Sequence, residues 1–364
     1  RYPRTSSNHT SMQTSSKSEQ LAMAPKTTKP YQRCLVMAGG GFRFGYYLGI
    51  HAALEQQGRT PDLLLASCGG ALAAAIIQAL PDTQSRLEYL ASESMYQHWQ
   101  QVAPGPGARL SSVLRHACQR RFSRQDCTRI PDLFSDYLFE LPEALPHPNF
   151  AISSATASSP SVAIIGAELL FSPQQAGQLR HQQALFQQVL FAANIEAAAI
   201  AHLQAPLSSN NTVILPTLAV QAEVPLGVML RIAVSDMFYF RPACYQGRYF
   251  LGGAIDLMPL EIAKALAFEV IAERKAAYDF SLASPAIAKV FGVDPNQRLA
   301  QAMAHTDVSW LDTRDMRQQL PQGIVHKSLN WRQNLLKLSA APSYAAYRDV
   351  VLKQWQYGFA CASK

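Results

Sequence analysis

Apolar residues gather along this chain in short unbroken runs that alternate with stretches of helical period. Residues 33–38, RCLVMA, are one such run. They enter GGGFRFG, after which YYLGIHAALEQQG places Tyr47, Ile50 and Leu54 on one face and stops at Gly58. The pattern repeats: DLLLA (62–66) reads as a second strand, ASCGG as a tight turn and GGALAAAIIQALP as a second helix. Two strand–turn–helix units in succession predict a βαβα start and a mostly parallel sheet covered by helices. Leu63 to Leu80 runs for eighteen residues without a charge, long enough for a membrane helix. The interruption at Cys68, Gly69 and Gly70, bracketed by Pro61 and Pro81, predicts a buried strand and a buried helix instead.

Residues 82–145 read as helical and irregular, with no evident chemistry. NFAISSATASSPSVAIIGAELLFSP reads as two strands joined by a Ser-rich turn, followed by a Gln/Ala-rich helical stretch to about Gln204. VPLGVMLRIAVSDMFYFRP reads as a helix running into a loop that ends at Pro242. GRYFLGGAIDLMPLEIAKALAFEVIAER gives a strand, a Gly-Gly turn, a helix starting near Pro259 and a last short strand around 268–271. From 275 to 364 the chain reads as largely helical. NWRQNLLKL and YRDVVLKQWQYGF are amphipathic and basic, suited to packing on the parent domain or to an anionic membrane surface.

Composition narrows this picture. Nearly half of the 364 residues are apolar, enough for one large α/β domain or two small ones. Residues 1–30 are Ser/Thr-rich, aperiodic and poor in large apolar side chains, so they are expected to form a disordered tail. That tail carries +4 of the chain's +7, which leaves the high isoelectric point no argument for nucleic acid. The six cysteines show no paired metal spacing, no cofactor is implied, and with no secretory signal before the first strand a reducing cytoplasm is the default expectation.

The chemistry concentrates at two turns. Gly39, Gly40 and Gly41, between a strand and a helix, leave backbone N–H groups free for an anion near the helix's positive end. Neither a dinucleotide fingerprint nor a phosphate loop is present, so an oxyanion hole is the better reading. Arg43, just inside the helix, suits either bracing that loop or meeting a charged headgroup. In ASCGG, Ala66 and Gly70 flank Cys68 as the small residues of a nucleophile elbow, with Gly69 N–H as a further oxyanion donor. A thiol at a helix N-terminus is expected to fall below its ordinary pKa.

These motifs resemble the patatin-like phospholipase family, whose members carry G-G-G-x-R-G, then G-x-S-x-G, and much later D-G-G or D-G-A ahead of a helix. Residues 33–80 resemble the first two. RIAVSDMFYFRP and GRYFLGGAIDLMPLEIAKAL resemble the region of the third, so the resemblance spans roughly 33–275. It implies a three-layer α/β/α fold with a mostly parallel central sheet, acting on a lipid ester or acyl thioester. Against that pattern, Cys68 stands where the family has its nucleophilic serine, Leu251 at its catalytic aspartate, Ala66 at the motif glycine, Phe44 at the glycine after the arginine and Leu257 at an asparagine, while Gly252 and Gly253 remain.

Two readings follow. In one, the protein is a catalytically inactive relative that binds a lipid, an acyl chain or a protein. In the other, Cys68 is the nucleophile of an acyl hydrolase or acyltransferase. A thiol is partly ionised at neutral pH, and a lost aspartate removes a like charge that would hold its pKa up, whereas an apolar Leu251 would raise it. Without a base, water attacks the acyl-cysteine slowly, which favours transfer to a thiol or amine. Asp236, Asp256, His51 and His202 are the candidates for a replacement base, with Asp256 better suited to starting the helix before Pro259 and His51 to packing. The expected organisation is a tail (1–30), a patatin-like α/β domain (31–275) and a helical C-terminal extension packed on it (276–364).

Overall fold

The computed structural model describes residues 29–122, 128–142, 159–192, 195, 200, 203, 212–279 and 283–364. Most of the tail expected at 1–30, the first strand of the Ser-rich pair and His202 lie outside the described residues.

The elements run in the order β1 (Tyr31–Ala38), α1 (Tyr46–Gln56), β2 (Leu63–Ser67), α2 (Gly69–Ala79), α3 (Thr83–Leu90) and α4 (Glu93–Gln100). The short β3 (Ala103–Pro104), α5 (Leu110–Phe122) and the short β4 (Phe139–Glu140) lead to β5 (Ser161–Leu169), β6 (Phe186–Ala192) and β7 (Ala219–Gln221). Then come α6 (Leu226–Ala233), β8 (Ala243–Tyr245), β9 (Arg248–Leu251), α7 (Leu260–Leu266) and β10 (Ala267–Arg274). The chain continues through α8 (Ala283–Phe291), α9 (Pro295–Met303), β11 (Ser309–Asp312), α10 (Met316–Gln319), β12 (Val325–Asn330), β13 (Leu335–Ala340) and α11 (Tyr344–Ala362).

The main sheet has the order β11-β10-β1-β2-β5-β6-β7, with β9 on β5 and β8 on β9. Pairing is parallel from β11 across to β5, with Leu35 opposite Leu64 and Ile271; β6 and β9 join β5 antiparallel. Alternate residues of each strand feed two separate cores. Leu35, Met37, Leu64 and Ile164 face the layer holding α1, α2, α6 and α11, while Cys34, Val36, Leu65 and Ile165 face α7, α8 and α9. Burial on both faces is why the central strands read as continuous apolar runs. The result is a three-layer α/β/α fold with a mostly parallel central sheet. Leu63 to Leu80 divides into β2 and α2, and no helix among the described residues is long and apolar enough to cross a membrane.

Three sequence expectations are corrected. The Gln/Ala-rich stretch contains a strand, β6, because Phe186, Val189, Leu190 and Phe191 are buried in the two cores and override the composition of their polar neighbours. NWRQNLLKL is the turn and second strand of the β12–β13 hairpin: Leu336 and Leu338 are buried at a period of two, and Asn334 turns the chain at φ +52°. The segment after 275 is therefore not helical throughout, and its β11 extends the main sheet beyond β10. The strand expected at 268–271 is the longer β10, next to β1.

Candidate active site

β2 runs into α2 through one residue, Cys68, at φ +48° and ψ −128°. That is a strained conformation for a residue with a Cβ, held because packing on both sides leaves no alternative. A Cβ at position 70 would stand 2.0 Å from the Met37 carbonyl oxygen, so only glycine lets α2 start against β1. Cys68 is consequently presented at the carboxyl edge of the sheet, partly exposed, above the first turn of α2.

The glycine loop lies against this elbow. Gly39, Gly40 and Gly41 all have positive φ, and a Cβ on Gly69 would meet the Gly41 carbonyl oxygen at 2.4 Å and its nitrogen at 3.1 Å. The Gly39 N–H is committed to the Ser67 carbonyl at 3.2 Å. The Gly40 and Gly41 N–H groups have no hydrogen-bond partner among the described residues, which leaves them, with Gly69, as the donors open to an oxyanion. Arg43 braces the loop from behind, donating from Nε to the Leu320 carbonyl at 2.6 Å and from its terminal nitrogen to the Pro321 carbonyl at 2.9 Å. Gln354 of α11 holds the same segment, accepting from Gly45 N–H at 3.1 Å and donating to the Phe42 carbonyl at 3.2 Å.

A carboxylate faces the sulfur. The Cys68 thiol donates to Asp236 Oδ2 at 3.0 Å. Asp236 sits in the tight loop after α6, pinned by Tyr239 and Phe240 N–H groups that both donate to its carbonyl. Gly252 admits that loop: its N–H donates to the Ser235 carbonyl at 3.0 Å, and a Cβ there would lie 2.3 Å from the Ala233 carbonyl oxygen and 3.1 Å from Asp236 Oδ1. Gly253 in turn lets its turn close on Ser67, whose Cβ is 2.4 Å from where a Gly253 Cβ would stand. Leu251 is 1 % exposed and belongs to the second core. The glycine pair thus supports an acid that comes from a different loop.

Residues 35–165 match the family model of patatin-like phospholipases. This stretch is similar to patatin-like phospholipases. The family is one of lipid acyl hydrolases, and the match covers the glycine loop, the elbow, all of β2 and parts of β1 and β5. No curated protein matches the chain. Among solved structures, the chain is similar to the crystal structure of VipD from Legionella pneumophila at 10% identity and a TM-score of 0.33, covering 90% of this chain and 67% of that one.

The electrostatics of the site differ from what the sequence predicts. The Cys68 thiol is pushed up, not down: burial leads, the Asp236 charge and hydrogen bond add to it, and the Gly69 amide and the Lys275 charge offset only part. Burial also raises Asp236, to about 6. At neutral pH the pair is therefore a neutral thiol donating to a carboxylate, a nucleophile that needs a base and has one in contact.

The other candidate bases are engaged elsewhere. His51 is buried between Glu55 (3.5 Å) and Arg86 (3.3 Å), and burial lowers its pKa. Asp256 accepts from Met258 N–H at 3.3 Å, but its main partner is Arg298, at 3.1 and 3.3 Å, so it is a buried ion-pair member more than a helix start.

Two polar groups near the sulfur were not foreseen. Glu273, 1 % exposed, accepts from Tyr46 (2.6 Å), Tyr47 and Thr313 (2.8 Å) and pairs with Lys275 at 2.7 Å. The Tyr46 and Tyr47 rings pack under Gly40, so this buried cluster floors the glycine loop. Lys275 and Tyr278 also line a small, half-open recess whose apolar wall includes Met258, Ile287, Val293 and Leu299. Leu257, on the same wall, comes within 3.8 Å of a Cβ at Gly39, which joins the recess to the loop. A glutamate ending the apolar run of β10 was the available sequence signal for the cluster.

Gly252→Ala is expected to push the Asp236 loop off β9. Overpacking of this kind costs about 1–3 kcal/mol, so the melting temperature should fall. Thiol alkylation of Cys68 should change its pH dependence, because the carboxylate has moved.

Proposed function

We propose that the protein is a cysteine-dependent acyl hydrolase or acyltransferase that takes an apolar acyl group from a lipid ester or acyl thioester onto Cys68. The contact between the Cys68 thiol and Asp236 Oδ2 at 3.0 Å carries this reading. As the sulfur attacks the carbonyl carbon, its proton passes to Asp236, and the carbonyl oxygen becomes an anion received by Gly40, Gly41 and Gly69 N–H groups. Collapse expels the alcohol or thiol, which takes the proton back from the protonated carboxyl of Asp236, and leaves an acyl-cysteine. In the second half-reaction an acceptor gives a proton to Asp236 and attacks the thioester, and the sulfur leaves and is reprotonated.

Asp236 alters the balance between acceptors. Transfer is favoured over hydrolysis when no base is present, but a carboxylate beside the sulfur activates water as well as an amine or thiol. The remaining preference for transfer rests on the acyl-cysteine itself, a thioester that amines and thiols attack more readily than water.

Incubation with an activated medium-chain acyl thioester, followed by intact-protein and peptide mass spectrometry, tests this. The expected result is one acyl adduct on the peptide containing Cys68, discharged by added thiol or amine with repeated turnover. An adduct spread over the exposed Cys118 and Cys244 while Cys68 stays free would reject the nucleophile and leave an inactive acyl- or protein-binding relative.

A further inference from the structure

The β12–β13 hairpin ends in a bare apolar tip. Trp331, in the turn, is 76% exposed and Leu329 is 48% exposed. From Met316 to Ala340 the chain carries Arg317, His326, Lys327, Arg332 and Lys337 and no acidic residue. Tryptophan has a rigid apolar body and one N–H, so it is most favourably placed where hydrocarbon meets water. Cations beside it meet lipid phosphates, each contributing about 1 kcal/mol at an anionic surface. An exposed Trp–Leu pair in a segment of uniform positive charge therefore has a complementary partner in an anionic bilayer.

The base of this hairpin touches both loops of the candidate site. Ile324 N–H donates to the Phe42 carbonyl at 2.9 Å, and Arg43 reaches the carbonyls of Leu320 and Pro321 just before the hairpin. Phe42 and Arg43 continue directly from the glycine loop. On the other side, the Lys327 ammonium lies 4.5 Å from the centre of the Tyr239 ring, a cation–π contact with the loop that carries Asp236.

We propose that the β12–β13 hairpin docks the protein on anionic lipid bilayers, with Trp331 and Leu329 entering the headgroup layer and Arg332 and Lys337 meeting lipid phosphates. The glycine loop and the Asp236 loop are both joined to the base of the hairpin, so docking holds them next to the segment that meets the bilayer. Docking stands on the hairpin alone; only the use of the bilayer as a source of acyl groups rests on the function proposed above.

The test is co-sedimentation of the full chain with vesicles of phosphatidylcholine, pure or mixed with phosphatidylglycerol, at low and high salt. Wild type is expected to bind the mixed vesicles, to be released by salt and to bind pure phosphatidylcholine weakly. Trp331→Ala with Leu329→Ser, and separately Arg332→Glu with Lys337→Glu, should each cut binding to mixed vesicles about tenfold or more, with melting unchanged as a control for folding. Tryptophan emission of bound wild type should shift to the blue, and Trp331→Phe should abolish that shift while still sedimenting. Wild type that stays in solution with mixed vesicles, a tip variant that binds like wild type, or a blue shift that survives Trp331→Phe would overturn the proposal. Sedimentation is read without turnover, so failure of the Cys68 chemistry and failure of docking are separate results.

Discussion

Asp236→Asn is expected to lower kcat/KM for acyl thioesters by about 10²- to 10⁴-fold, the usual contribution of a positioned base. Asparagine keeps the shape and can still accept from the thiol, but it cannot take up the proton. The wild-type profile should rise with pH through about 6, where Asp236 ionises, and then level off; the variant should lose that rising limb.

Stability should move the opposite way. Folding raises the Asp236 pKa from 3.8 to about 6, so the folded protein holds this proton more tightly than the unfolded chain. The stability this confers is fully present below pH 3.8 and is lost as pH rises through about 6. Asp236→Asn should therefore gain on wild type in denaturant midpoint across that window, by on the order of 2 kcal/mol once the partial exposure of Asp236 is allowed for. A variant slower in turnover, whose stability relative to wild type is higher at neutral pH than in acid, is the combined signature. A merely structural Asp236 would give a loss of stability without a change in the pH limb.

The sequence carried the glycine loop and the elbow because both depend on local backbone geometry, and local geometry leaves a local mark. Cys68 between Ala66 and Gly70 predicts a turn that displays a side chain, and the structure has that turn, with φ +48° at Cys68. The partner of the sulfur was harder to read. Asp236 is separated from Cys68 by 168 positions, and only the packing of the α6 loop on Gly252 brings the two together. Sequence reading could name Asp236 among several candidates; it could not choose among them.

The direction of the thiol pKa is not legible in the sequence for a related reason. A helix N-terminus is visible in sequence, and it lowers the pKa, but desolvation and a facing carboxylate are tertiary and outweigh it. At the hairpin, NWRQNLLKL satisfies both a helical and a two-residue period over its short length. The choice is made by Leu336 and Leu338 finding a core on one side only.

Cys68→Ala should abolish the acyl adduct and reduce turnover by at least about 10³-fold, since among the described residues Cys68 is the nucleophile hydrogen-bonded to the Asp236 carboxylate. Cys68→Ser separates the roles of the sulfur and the base. An alcohol is a far weaker acid and nucleophile than a thiol in the same surroundings, so the serine variant leans on Asp236 more heavily than the cysteine enzyme does, even with burial holding the Cys68 pKa up. Adding Asp236→Asn should therefore cost the serine enzyme more than it costs the cysteine enzyme, a positive coupling in a double-mutant cycle run on an oxygen ester. Because Asp236 already stands at hydrogen-bonding distance from the side chain of residue 68, the single serine variant should keep measurable esterase activity. Equal losses in the two backgrounds would mean that the carboxylate only positions the loop, and a serine variant as silent as Cys68→Ala would mean that its contact with residue 68 does not move a proton.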